Sequence, residues 1–180
     1  MQLVSPDVLP RMTVDQYLEY EHSQEIRHEL VDGYLYAMAG ASERHEQIAT
    51  NLLIAIGSHL RGSPCRAYKG DLKIAVGDDF YYPDVFVTCG PERPDGFSRS
   101  DPVLIIEVLS PTTARNDRGD KRLAYASLET LKEYVLVSQD QVRVELIRPT
   151  GIAHPVLEST QDTLMLESIA CSIGLSEIYA

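Results

Sequence analysis

An acid interrupts an apolar run at Val103-Leu104-Ile105-Ile106-Glu107-Val108-Leu109. Length and composition predict a strand buried on both faces. An ionised Glu107 inside it is costly unless it is paired, hydrogen-bonded or bound to a cation. Upstream, Tyr82-Pro83-Asp84-Val85-Phe86-Val87 is a second apolar strand with an acid at its start. Two isolated acids on neighbouring hydrophobic strands make half of a metal site. Hard oxygen ligands of this kind suit Mg2+ or Mn2+ better than zinc. Each acid also has a plainer explanation. Asp84 after Pro83 satisfies a strand-entry turn, and Glu107 pairs with Lys121 or Arg118 to fix a helix.

The elements that must carry these acids follow from periodicity. Thr13-Val14-Asp15-Gln16 has the form of a capping box, which predicts a helix over about 14–22 with Val14, Tyr17 and Leu18 inward. Asp32-Gly33 between two short apolar segments predicts a hairpin. From Ser42 onward Ile48, Leu52, Leu53, Ile56 and Leu60 recur at helical spacing until Gly62 and Pro64, so one long helix is expected over about 42–61. Strands are expected at 65–69, 71–76 and 81–88, an exposed loop from Gly90 to Asp101, then the strand 103–109. A helix over about 117–127, with Leu123 and Ala124 facing in, leads to a buried strand at 134–137. Val142, Val144 and Leu146 alternate with Arg143 and Glu145, which predicts a strand with one wet face. Short strands at 152–158 and 163–167 complete the chain. The order is that of an α/β (α+β) fold with a mixed central sheet flanked by helices and a β-rich C-terminal segment. No linker divides residues 1–180, so a single domain is expected, and 103–137 forms a βαβ-like unit.

Sixteen Lys and Arg face 27 Asp and Glu, a formal net charge of −11. That counts against a general nucleic-acid coat, because phosphate contacts supply most non-specific affinity. It leaves room for a nuclease, since an acidic metal site holds part of the charge. Cys65, Cys89 and Cys171 lie far apart with no CxxC spacing. This argues against structural zinc, and the odd count argues against a disulfide framework. No apolar stretch approaches the ~20 residues of a membrane helix, so a cytoplasmic protein without membrane contact is expected.

Several of these segments together resemble the Uma-two family of restriction-endonuclease-like domains. They are Pro83-Asp84, then Ile106-Glu107-Val108-Leu109-Ser110-Pro111-Thr112, then Asp117-Arg118 with Lys121 and Tyr125, then Glu133-Tyr134-Val135-Leu136-Val137. Glu29-Leu30-Val31-Asp32-Gly33 and Ser42 with His45 match the same pattern, and the likeness runs over residues 12–180. The resemblance implies the PD-(D/E)xK nuclease superfamily. It implies Asp84 and Glu107 as ligands of Mg2+ or Mn2+, DNA as substrate, and Glu29 as a further ligand, directly or through water. His45 is a second candidate for the same cleft, although a helical His near an apolar face is more often a hydrogen-bonded core residue. The superfamily pattern asks for a lysine two residues after Glu107, and Leu109 stands there. A leucine neither orients water nor neutralises charge. Lys121 on the following helix is the natural replacement, with Lys73 the second choice.

Two functions compete at this point. One is a metal-dependent DNA endonuclease, expected to act as a homodimer because closed two-fold pairs are the commonest assembly. The other is a non-catalytic binding or regulatory module on a nuclease-like scaffold, favoured by Leu109 and by the −11 charge.

Overall fold

The computed structural model describes residues 11–38, 40–92, 96–111, 113–149 and 155–180. Thr112 and residues 152–154 of the expected strand 152–158 therefore lie outside the described residues. The chain runs through α1 (Val14–His22), a hairpin β1 (His28–Val31) and β2 (Tyr34–Ala37), and the long α2 (Glu43–His59). Next come β3 (Arg66–Lys69), β4 (Lys73–Val76), β5 (Asp79–Tyr81), β6 (Val85–Thr88) and β7 (Ser98–Arg99), then the longest strand, β8 (Pro102–Leu109). Two short helices follow, α3 (Ala114–Arg118) and α4 (Asp120–Ala126), then β9 (Glu133–Ser138), β10 (Val144–Ile147), β11 (Val156–Leu157) and β12 (Thr163–Leu166). A 3-10 turn at Glu167–Ile169 leads into β13 (Cys171–Gly174) and α5 (Leu175–Ile178).

The local signals act as their chemistry requires. Thr13 and Gln16 close both halves of the capping box at the start of α1. Asp32 and Gly33 both take positive φ, 51° and 81°, as a two-residue hairpin turn requires. Ser42 caps α2 by accepting from the backbone N–H of His45.

The strands form a six-stranded mixed sheet in the order β11-β10-β9-β8-β6-β3 and a five-stranded sheet β2-β1-β5-β4-β7. β12 and β13 pair separately. Within the six-stranded sheet β8 and β9 are parallel, joined by α3 and α4, and their neighbours are antiparallel. Side chains on β8 alternate between two cores. Leu104, Ile106 and Val108 pack with Ile48, Leu52 and Ile56 of α2, whereas Ile105 and Leu109 pack with Tyr125 of α4 and Tyr134 of β9. Glu107 shares the second face, so α4 is the helix that covers it.

Five expectations change. The expected exposed loop from Gly90 to Asp101 contains β7, paired with β4, and its Arg99 is buried. The single strand 81–88 is two strands in different sheets, because Pro83 cannot donate to a ladder and the chain crosses from one sheet to the other at Tyr82–Asp84. The helix 117–127 is divided at Gly119, and Leu123 is 73% exposed, because α4 turns Lys121 and Tyr125 inward instead. Leu18 is likewise exposed at 38%. The expectation of no disulfide also fails. The antiparallel register pairs Arg66 with Thr88, so Cys65 and Cys89 fall opposite one another one step further on and are disulfide-bonded. Sequence separation concealed a pairing that strand register imposes.

The C-terminal segment is fastened by a buried acid. Glu133, 1% exposed, accepts hydrogen bonds from the Arg148 guanidinium, the backbone N–H groups of Glu167 and Ser168, and the Ser168 hydroxyl. Glu133→Ala strands four donors at once. It should cost about 2–4 kcal/mol in urea denaturation, where an unchanged midpoint would show that the C-terminal segment is held by its apolar contacts alone.

Candidate active site

The site forms where the chain passes between the two sheets. Val85 pairs with Ile106, so Asp84, one residue earlier, stands opposite Glu107. The Asp84 backbone N–H points at Glu107 Oε2 at 3.4 Å, and the Val108 backbone N–H donates to Asp84 Oδ2 at 2.7 Å. From α2, His45 Nε2 reaches the same Asp84 oxygen at 3.2 Å. The hairpin supplies Glu29, whose Oε1 accepts from the Tyr82 backbone N–H at 3.1 Å. From α4, Lys121 Nζ lies 2.8 Å from Glu29 Oε1, 3.3 Å from Glu107 Oε1 and 3.6 Å from Asp117 Oδ1. The Tyr125 hydroxyl donates to Glu107 Oε1 at 3.1 Å. Asp117, Lys121 and Tyr125 keep a four-residue spacing across the break at Gly119, so one face of α3 and α4 is presented to Glu107.

Asp84, Glu107, Lys121, Glu29 and His45 all line one open cleft of about 850 Å3. Lys73 does not. It lies 5.5 Å over the Tyr82 ring, and the cleft lining passes it by. The family resemblance includes Asp117 and Tyr125 without implying a role for either. Their four-residue spacing about Lys121 was the signal that could have found them.

Charge balance decides what the cleft can hold. Glu29, Glu107 and Asp117 surround one ammonium, and Asp84 opposite Glu107 is paired with His45. Burial pushes the Glu107 carboxyl well above the usual carboxylate range; Lys121 opposes the shift, and the like charges of Asp117, Asp84 and Glu29 add to it. Asp117 is raised for the same first reason, with Lys121 and the Thr113 hydroxyl opposing. For Lys121 burial pulls downward, but Glu107, Glu29 and Asp117 outweigh it and hold the ammonium charged. His45 is raised by its hydrogen bond to Asp84 against burial.

Among the described residues, no group of three or more His, Cys, Asp and Glu side chains is arranged to enclose a metal ion. A divalent cation of the Mg2+ type needs only one or two carboxylates and keeps its other positions for water. The donor set fits that case. There is a surplus of negative charge, the acids are hard oxygen donors, and Asp117 Oδ1 is buried with no hydrogen-bond partner.

Comparison with known proteins names the fold and the family. The Uma2 family, described as "Putative restriction endonuclease", matches residues 14–176. The chain belongs to the Uma2 family. It is 37% identical over 175 residues to the "Uncharacterized protein slr1290" of Synechocystis sp., covering 94% of this chain and 92% of that one. A second Synechocystis relative, "Uncharacterized protein sll1609", is 30% identical over 145 residues, 78% of this chain and 82% of that one. The fold is that of a solved Anabaena variabilis chain titled "putative nuclease belonging to DUF820". The TM-score is 0.81 at 19% identity, covering 93% of this chain and 97% of the other. The Uma2 match spans every segment that lines the cleft, from Glu29 to Gln139. Among the described residues no helix is long and apolar enough to cross a membrane.

The raised carboxyls fix the sign of a pH effect. A carboxyl whose folded pKa exceeds its unfolded value keeps its proton longer in the folded chain, so stability falls as pH rises through that window. Without metal and with chelator present, the melting temperature should therefore fall as pH rises above the ordinary carboxylate range. Glu107→Gln should flatten the slope and melt higher than wild type at the upper end. Parallel curves for the two proteins would mean that Glu107 contributes nothing to it.

Proposed function

We propose that this Uma2 protein is a metal-dependent DNA endonuclease that hydrolyses phosphodiester bonds in the cleft between Asp84, Glu107 and Lys121. The observation that carries this reading is the Lys121 ammonium 3.3 Å from Glu107, delivered by α4 to the face of β8 where Leu109 supplies no charge. Asp84 and Glu107 would hold Mg2+ or Mn2+. Such a cation, when bound, activates water and offsets charge developing on the phosphate.

The chain's own residues have separable parts. His45 and the Val108 N–H fix the orientation of Asp84. Tyr125 and Lys121 both engage Glu107 Oε1, leaving Oε2 toward Asp84. Glu29, anchored by the Tyr82 N–H, holds Lys121. Lys121 keeps a positive charge where negative charge grows in the transition state. We assign the protein to the cytoplasm and to a two-fold pair, the commonest closed assembly. A reducing compartment would reduce the Cys65–Cys89 disulfide.

A non-catalytic module is the second reading, and one feature favours it. The cleft lining has six acids, Glu29, Glu46, Asp71, Asp84, Glu107 and Asp117, against Lys69 and Lys121. A polyanion meets such a lining only with cations present to offset it.

Cleavage of supercoiled, linear and single-stranded DNA with and without Mg2+ or Mn2+ separates the two. The nuclease reading expects cleavage only with metal, and its loss in Asp84→Asn and in Glu107→Gln. Lys121→Ala should slow turnover on the order of 10²-fold, and Lys73→Ala should leave it intact. Inert protein on every DNA form, with metal present and the fold intact, would favour the module. Equal activity in wild type and both acid variants would assign the cleavage to something else.

A further inference from the structure

Asp117 stands out among the cleft acids. It is 2% exposed, yet its Oδ1 accepts no hydrogen bond, and the nearest cation, Lys121 Nζ, is 3.6 Å away, beyond hydrogen-bond reach. A buried acceptor left open is costly and calls for a reason. Its position is not slack in the fold. The Asp117 carbonyl accepts from the buried Tyr134 hydroxyl at 2.9 Å, so the turn of α3 that bears the side chain is held in place.

Lys121 meanwhile engages Glu29 and Glu107. Glu107 is thus claimed by two positive roles, the ammonium and any cation held with Asp84. Two like charges on one carboxylate repel. The ammonium, buried in the cleft wall, needs another acceptor within reach of its stem. Glu29 is already in contact, and the open Oδ1 of Asp117 is the other.

We propose that Asp117 is a positioning residue that takes the Lys121 ammonium over from Glu107 when a divalent cation is held at Asp84 and Glu107. This rests on the reading of the cleft as a cation site. Lys121 then remains in the cleft, charged and paired between Asp117 and Glu29, without competing for Glu107. The open oxygen, 3.6 Å from Lys121 Nζ, is the landing place.

A double-mutant cycle read by Mn2+ calorimetry tests this without any turnover. The proteins are wild type, Asp117→Asn, Lys121→Met and the double variant, each checked first for its metal-free melting temperature. Asp117→Asn should weaken Mn2+ binding about tenfold, the low end of what one charge at ~4–6 Å does to a neighbouring equilibrium. Its metal-free melting temperature should hold or rise, since a buried carboxylate is neutralised. In the Lys121→Met background the same change should have little effect on Mn2+ affinity, because no ammonium has to move. An equal loss in both backgrounds would overturn the proposal and make Asp117 a direct contributor to the cation. Unchanged affinity in Asp117→Asn, with wild type binding Mn2+, would overturn it and leave the cation site standing. No binding to wild type would remove both. On the unaltered chain, Mg2+ should shift the 15N resonance of the Lys121 ammonium, and a resonance that stays put while Mg2+ binds would also sink the idea.

Discussion

The structure around the cleft depends on one buried ammonium. Lys121, 7% exposed, meets acids from three separate parts of the chain: Glu29 on the hairpin, Glu107 on the central strand and Asp117 on the preceding helix. Removing charges from water costs several kcal/mol per ion, and the mutual attraction repays it only when geometry and further hydrogen bonds are good. Here the further bonds come from the Tyr82 N–H to Glu29 and from the Tyr125 hydroxyl to Glu107. The same ammonium therefore ties the five-stranded sheet to the six-stranded one. It also explains why α4 buries Lys121 and Tyr125 while leaving Leu123 in solvent.

The balance is incomplete, which separates a site from a structural ion pair. Glu133 is as deeply buried as Glu107, but its two oxygens receive four donors including the Arg148 guanidinium. Its charge is absorbed locally, and it lies away from the cleft lining. Glu107 faces three other carboxylates across an open cleft with one ammonium between them. Burial and like charge both act to keep it protonated. An arrangement that the fold leaves short of positive charge is suited to a ligand that brings it.

Scaffold geometry supplies the precision. The chain must leave one sheet and enter the other at Tyr82-Pro83-Asp84, and Pro83 removes the donor that would have continued the ladder. That interruption turns the Tyr82 N–H to Glu29 and the Asp84 N–H toward Glu107. The N-terminus of α2 closes the opposite wall. Ser42 caps the helix at His45 and donates to Gln139 beyond β9, so the helix end, His45 and the exit from β9 are coupled.

Much of this was legible in the residues alone. Caps, the Asp32-Gly33 turn, the long helical stripe and the buried strand at 103–109 are local consequences of sequence, set by hydrogen bonding and by the period of each element. The pair Asp84 and Glu107 was legible as well, because acids beside apolar strands carry a cost visible without coordinates. Other features depended on what lies across the fold. Glu133, at the head of Tyr134-Val135-Leu136-Val137, has the same local signature as Glu107, and only the donors arriving from Arg148, Glu167 and Ser168 mark it as structural. Cys65 and Cys89 looked unrelated until register set them side by side. Leu123 fitted an apolar face by its own character and lost that place to Lys121, whose burial is decided by carboxylates on β1, β8 and α3. Local pattern states what each residue tends to do, but charge compensation is a property of the assembled neighbourhood, and only the tertiary structure determines it.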